Sequence, residues 1–325
     1  MMELTDRHYR YLARLLTRHT LLYTEMLTCK AVIHGDKDYL LGKHESEGPV
    51  VLQLGGSDVG EMAAAARLGE QWGYSEINMN VGCPSDRVKA GRFGACLMAE
   101  PDLVRDVVAG MHQAVDIPVT VKCRLGIDRD DSYESLHSFV EQVMRSGCSH
   151  FIVHARKAWL DGLSPKENRT IPPLRYEYVY RLKQHFPELH ITINGGIDSL
   201  ADARQHLQQV DGVMIGRAAY YHPAILADAD RLVFSDLDNG YQHSASTHTL
   251  GEVAREYARY MQGWVDQGVR LSALTRHMVA LFQEVPGARQ WRRHISEQAG
   301  RTTDAIALVD EALSYVCSDG QRQSA

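Results

Sequence analysis

From about residue 20 to residue 220 the chain alternates short β-branched runs with longer amphipathic stretches. The runs are LLYTEML (Leu21 to Leu27), VVLQLGG from Val50, EINMNVGC from Glu76, PVTVKCRLG from Pro118, HFIVHA from His150, HITINGG from His190 and GVMIGRA from Gly212. Between them lie helical patterns such as DVGEMAAAARLGEQWG, DLVRDVVAGMHQAV, SYESLHSFVEQVMRSG and SLADARQHLQQ. Asp58, Ser132 and Ser199 stand as N-caps and Gly73 and Gly147 as C-caps. Strand and helix repeated this often predict a parallel sheet, either doubly wound or closed as a barrel. Seven strands are visible. An eighth would have to precede the helix expected over Thr5 to Thr17, where only Met1 to Leu4 stand.

The polar face of each strand decides between barrel and open sheet. Ile77, Met79 and Val81 alternate with Asn78 and Asn80; Val119, Val121 and Cys123 alternate with Thr120, Lys122 and Arg124. Phe151 and Val153 alternate with Ile152, His154 and Arg156, and Ile191 and Ile193 with Thr192 and Asn194. One face of each strand is apolar and suits packing under helices; the other turns polar toward its C-terminal end. A doubly wound sheet, covered on both sides, should read as continuous apolar runs. The pattern therefore predicts a TIM-type (β/α)8 barrel with its first strand truncated, its polar ends converging at the mouth where barrel active sites lie.

After Tyr221 the strand signals stop. From Thr247 the patterns are helical (LGEVAREYARYMQGWVDQ, LSALTRHMVALFQEV, ARQWRRHISEQAG, TTDAIALVDEALSYV) and predict an all-α bundle. The boundary is set near residue 240, giving a barrel over 1–240 and a helical domain over 241–325. The 325 residues, 44% hydrophobic and 23% charged, describe a globular protein, and no apolar run approaches the roughly 18 residues of a membrane helix. With 35 Lys and Arg against 41 Asp and Glu, the net charge of -6 argues against general polyanion binding, so any nucleic-acid role needs a local basic patch. The six cysteines form no Cys-x-x-Cys pair and the sixteen histidines no ligand spacing, so no metal site is expected. No secretory signal precedes them, which points to reduced thiols in a cytoplasm.

The densest constellation is Asn78-Met79-Asn80-Val81-Gly82-Cys83-Pro84. Pro84 pushes Cys83 out of helical geometry, so its thiol stands on a fixed turn at the barrel mouth. A free thiol has a pKa of roughly 8.5 and is mostly protonated at neutral pH, which suits a proton donor better than a nucleophile. Gly195 and Gly196 follow one late strand, and Gly216 and Arg217 the next, where barrels bind phosphate through backbone N–H groups and a helix N-terminus. Lys122, His154 and Gln53 complete the inward set. A buried Lys122 predicts an anionic or electron-rich ligand, or else a structural ion pair, for instance with Glu25. Gln53 both donates and accepts, which suits a flat heteroaromatic edge. Two basic stretches remain: the loop Arg156 to Arg175, with Trp159, Lys166 and Arg169, and Arg289-Gln290-Trp291-Arg292-Arg293-His294. Each alone reads as a solvated face; together, with Arg and Trp interleaved, they suit a phosphate-backbone clamp.

With NVGCPS, VKCR, VHAR, NGGI and IGRA in this order, the chain resembles the tRNA-dihydrouridine synthases, and WLDGLSPKENRTIPPLRY and ARQWRRHISE make it similar to their A-type subfamily. The resemblance covers nearly the whole chain. It implies an FMN-containing barrel followed by a helical tRNA-binding domain, reducing uridine to 5,6-dihydrouridine with NADPH at D-loop positions 20 and 20a. Cys83 would be the acid protonating C5 of the uracil. Lys122 and His154 would contact flavin or substrate, Gln53 the isoalloxazine edge, and Gly195, Gly196, Gly216 and Arg217 the FMN phosphate, with Asn194 adjoining. Asn80 would meet the target nucleotide, and Lys166, Arg169, Arg289 and Arg292 the tRNA. The implied protein is cytoplasmic and monomeric, with no membrane partner.

One departure concerns the first strand, which in the family ends in Ala-Pro-Met-Met or similar under the flavin. Here the chain opens at Met1-Met2. A start codon set too late is the expected explanation, with Met1 and Met2 as the remnant of the flavin contact. Two rivals stand beside this reading: another FMN-dependent barrel oxidoreductase acting on a free small molecule, and a catalytically idle RNA-binding protein.

Overall fold

The computed structural model describes residues 1–234 and 250–317. Seven parallel strands lie side by side in chain order: β1 (Leu22–Thr28), β2 (Val50–Gly55), β3 (Glu76–Val81), β4 (Val119–Arg124), β5 (His150–His154), β6 (His190–Asn194) and β7 (Gly212–Met214). This is the order of a (β/α)8 barrel with one stave fewer, and β1 and β7 are its two edges.

The alternation read from the sequence is realised face by face. Ile77, Met79, Val81, Val121, Cys123, Phe151, Val153, Ile191 and Ile193 are wholly buried on the outer face. There the helices Val59–Gln71 and Pro101–His112 pack on β2, β3 and β4, and Tyr176–His185 on β6, each large apolar side chain so buried contributing about 1.5–3 kcal/mol. The inner face carries Gln53, Asn78 and Thr120 as one row of register partners, with Asn80 beside Lys122, and His154 between Arg124 and Asn194. The helices start where their capping residues stand, since Asp58, Ser132 and Ser199 accept from the backbone N–H of Glu61, Ser135 and Asp202.

By its contacts the chain divides into two compact units, one of residues 1–3 and 21–216, the other of residues 4–20 and 217–325. The expected boundary at 240 lies outside the described residues. The contacts divide the chain earlier, and they place the helix Arg7–Leu16 with the helical unit. The cause is aromatic: Tyr11 stacks on Tyr260 at 3.9 Å, His8 Nδ1 meets Tyr260 Oη at 2.9 Å, and the Tyr9 hydroxyl donates to the carbonyl of Ala219 at 2.8 Å. Asp6 caps this helix, accepting from the N–H of His8 and Tyr9, and also from Arg276 Nη2 at 2.5 Å.

The helical unit contains the helices Leu250–Val265, Leu271–Thr275, Ala288–Gln298 and Ala305–Cys317. The second is much shorter than its apolar pattern predicted. Met278, Leu281 and Phe282 are buried as the pattern requires, but their backbone runs in i to i+3 turns, such as Met278 N–H to Thr275 at 3.0 Å and Leu281 N–H to Met278 at 2.9 Å. Periodicity reported burial here rather than an α-helical ladder. Among the described residues no helix is long and apolar enough to cross a membrane.

Candidate functional site

Cys83 stands two residues beyond the end of β3, half-buried, on a turn with two restraints. Its backbone N–H and that of Gly82 both donate to Asn80 Oδ1, at 2.9 and 3.1 Å. Its carbonyl accepts from the N–H of Ala95 at 2.9 Å. Gly94, at φ +75, lets this second strand of chain approach, since a Cβ there would lie 2.5 Å from the Cys83 carbonyl oxygen. The thiol lies 3.6 Å from Ser85 Oγ. Other cysteines sit differently: burial pushes the thiols of Cys123 and Cys148 up to about 12, and burial with the nearby Glu61 pushes Cys29 up to about 11, which keeps all three protonated and inert.

Asn80 and Gln53 are nearly buried and bonded to each other, Asn80 Nδ2 to Gln53 Oε1 at 2.9 Å. Lys122, half-buried on the next strand, donates to Asn194 Oδ1 at 3.1 Å, and Asn194 is itself held by donating to the Met214 carbonyl at 2.7 Å. The ion pair with Glu25 left open by the sequence is not formed, and among the described residues no carboxylate pairs with Lys122. Burial, reinforced by the neighbouring Arg124, lowers its ammonium to about 8, against the opposing pull of Cys123 and Cys83. An ammonium facing only a neutral amide inside a barrel has its charge available for a ligand.

His154 ends β5, and Gly195 follows the partner strand at φ +115. A Cβ on Gly195 would stand 3.2 Å from His154 Cε1, and one on Gly196, at φ +69, would stand 2.6 Å from Leu174 Cδ1. These positions therefore combine a left-handed backbone with close packing, and Tyr176 Oη locks the turn by donating to the Gly195 carbonyl at 2.7 Å. At the end of β7, Met1 Sδ lies 3.8 Å from the Cβ position of Gly216; Met1 is half-buried, whereas Met2 is exposed. Arg217 is exposed and opens the short helix Arg217–Tyr221, which belongs to the helical unit.

The basic loop is built on two residues outside the expected set. Arg124, buried at the end of β4, donates to the carbonyls of Gly82 at 2.8 Å, Lys157 at 2.8 Å and Asn168 at 3.0 Å. Burial lowers its guanidinium to about 10. Asn168, wholly buried, donates to the carbonyls of Trp159 and Leu163 and accepts from the N–H of Trp159. Lys166 and Arg169 flank it and are exposed. Arg124 thus ties the Cys83 turn and the loop to one guanidinium.

The family model described as "Dihydrouridine synthase (Dus)" matches residues 1–316. The chain belongs to the dihydrouridine synthase family. Among curated proteins, the tRNA-dihydrouridine(20/20a) synthase of Vibrio parahaemolyticus is 53% identical over 97% of this chain and 95% of its own. The proteins of the same name from Synechocystis and Escherichia coli K12 are 53% and 54% identical, over 96% and 97% of this chain and 92% and 90% of theirs. Among solved structures, a morphinone reductase in complex with tetrahydroNAD matches with a TM-score of 0.50 at 12% identity, over 72% of this chain and 83% of that one, a likeness of fold.

In this member of the Dus family, Cys83, Asn80, Gln53, Lys122, His154 and Asn194 come together on adjacent strand ends of the barrel unit, with Gly195, Gly196, Gly216 and Met1 around them. Arg289 and Arg292 stand exposed on the helix Ala288–Gln298 of the other unit. The interleaving of Arg with Trp expected there is not realised. Trp291 is wholly buried, packs on Phe282 at 4.7 Å between centroids and donates to the Val279 carbonyl at 3.2 Å, so only the arginines face outward. Ala288, Trp291 and Ile295 form the apolar stripe of that helix, a spacing that already marked Trp291 as core. Arg124 and Asn168 were harder to foresee: an Arg ending a polar strand face was a usable signal, whereas Asn168 lies in a loop without period.

Proposed function

We infer that this protein reduces uridine to 5,6-dihydrouridine at positions 20 and 20a of the tRNA D-loop, with FMN as its flavin and NADPH as the electron source. The observation that carries the reading is the Cys83 thiol on a turn fixed by Asn80, beside the Lys122 ammonium, which has no carboxylate partner among the described residues. Identity of 53% with curated tRNA-dihydrouridine(20/20a) synthases over nearly the full length gives it the substrate.

The residues fit a flavin on three counts. Gly195 and Gly196 hold a left-handed turn of the kind that lets backbone approach a ligand closely. Lys122 offers a positive charge to an electron-rich ring, and Gln53 offers an amide to a carbonyl edge. Gly216 and Arg217 would join the glycine pair in holding the phosphate, and Met1, which lies against Gly216, would contact the flavin with Met2, His154 and Asn194. When bound, the flavin supplies the hydride that goes to C6 of the uracil. Cys83 Sγ holds the proton that goes to C5, and the resulting thiolate is stabilised by the charges of Lys122 and Arg124 and reprotonated from water. Asn80 orients Cys83 and meets the target nucleotide. Lys166, Arg169, Arg289 and Arg292 meet the phosphates of the tRNA. The protein works as a monomer in the cytoplasm. Incubation of the FMN-loaded protein with NADPH and unmodified tRNA, followed by nucleoside analysis, yields dihydrouridine at 20 and 20a; uridine left intact there sinks the reading.

A further inference from the structure

One row of polar side chains inside the barrel unit forms a directed hydrogen-bond chain. The N–H groups of Gly82 and Cys83 can only donate, so Asn80 must present Oδ1 to them and turn Nδ2 to Gln53 Oε1 at 2.9 Å. Gln53 Nε2 then donates to Asn78 Oδ1 at 2.9 Å, and Asn78 Nδ2 to Thr120 Oγ1 at 2.9 Å. The threonine hydroxyl, having accepted, donates to Glu76 Oε1 at 2.6 Å, where Tyr23 Oη also arrives at 3.5 Å. Reversing any one amide would set donor against donor and acceptor against acceptor, so the polarity of the whole row is fixed from both ends. Asn78 and Thr120 are 0% and 1% exposed, which leaves no water to replace a missing link.

Glu76 begins β3, at the end of the barrel opposite Cys83. A buried carboxylate met, among the described residues, by two hydroxyls is a costly way to hold a strand that an apolar side chain would hold as well. We propose that Glu76 is a positioning residue for the reaction at Cys83. As terminal acceptor it anchors, through Thr120, Asn78 and Gln53, the far end of the row that restrains the Asn80 amide holding the Cys83 turn. The inference rests on the reading of Cys83 as proton donor.

Four variants test it in the FMN-loaded protein. Thr120→Val keeps the β-branched shape and Glu76→Leu the bulk, but each removes a link; Thr120→Ser and Glu76→Gln keep donor and acceptor in place. The broken pair should lose about tenfold in kcat with the KM for tRNA nearly unchanged, the conservative pair staying near wild type. Without tRNA, iodoacetamide should modify Cys83 about threefold faster in the broken pair, read by peptide mass spectrometry, because the turn is released. Wild-type kcat and alkylation rate in Thr120→Val overturn the proposal, and that variant decides should Glu76→Leu fail to fold. A wild-type protein that makes no dihydrouridine overturns the reading of the site instead, while the alkylation rates still decide whether the chain holds Cys83.

Discussion

The two units bury polar groups in contrasting ways. In the helical unit Asp230 is 0% exposed and accepts from Thr17 Oγ1 at 2.6 Å, the N–H of Arg18 at 2.6 Å and the N–H of His19 at 3.2 Å. Asp6 is treated similarly, with two backbone N–H groups, Arg276 and His277 around it. Both carboxylates are closed by several donors each, and the result pins the helix Arg7–Leu16. In the barrel unit the Asn80 amide, the Cys83 thiol and the Lys122 ammonium still have bonding capacity toward the mouth. Closed polar clusters hold structure, and open ones hold ligands.

The sharpest break in this comparison is Cys83→Ala. Removing the proton donor should cost turnover about 10²–10⁴-fold, the range of a single general acid. FMN content and reduction by NADPH should persist, because among the described residues the thiol's hydrogen bond is to its neighbour Ser85 alone. Full turnover in the variant would remove the assignment.

Asp6→Ala should do the reverse, costing stability and sparing flavin content. It deletes a helix cap and leaves Arg276 and His277 without their carboxylate, a loss of about 2–4 kcal/mol, read by urea unfolding. Burial pushes the Asp6 carboxyl up, but the hydrogen bond and charge of His277, the N–H of Tyr9 and the charge of His8 outweigh it and hold it well below the usual carboxylate range. A depressed folded pKa means stability present above the unfolded value of about 3.9 and lost as pH falls below it. The gap between wild type and variant should therefore be full at pH 7 and shrink below about pH 4. A gap that does not change with pH would mean that the ionised carboxylate is not what holds the helix.

The strand half of the molecule was more legible than the helical half, for a geometric reason. A period of two sorts side chains onto two faces without ambiguity, so Gln53, Asn80, Lys122, His154 and Asn194 could be placed together before any coordinates. Arg124 stood in the same alternation, but its role comes from carbonyls of Gly82, Lys157 and Asn168 that only folding brings near. The helix Arg7–Leu16 was visible as a helix; its membership of the second unit depends on pairs such as Tyr11 with Tyr260, 249 positions apart by their numbers. The change from an α-helical ladder to i to i+3 turns beyond Thr275 left no trace in a pattern that records only burial.

The smallest effect probes the helix whose reading changed most. With Trp291 turned into the core, its surface is a row of arginines: Arg289 and Arg292 one turn apart, and Arg293 engaged with Glu297 at 2.9 Å. Arg292 has no such partner among the described residues, so its charge is available to a phosphate, whereas Arg293 must first leave Glu297. Arg292→Glu should weaken tRNA binding about fivefold near physiological salt and flatten the slope of log affinity against log salt by about one. Arg293→Glu should do less. The melting temperature should hold in both, since neither side chain reaches the stripe of Ala288, Trp291 and Ile295 that carries the packing. An unchanged salt slope in Arg292→Glu would take this helix off the tRNA face and leave the loop of Lys166 and Arg169 as the basic contact.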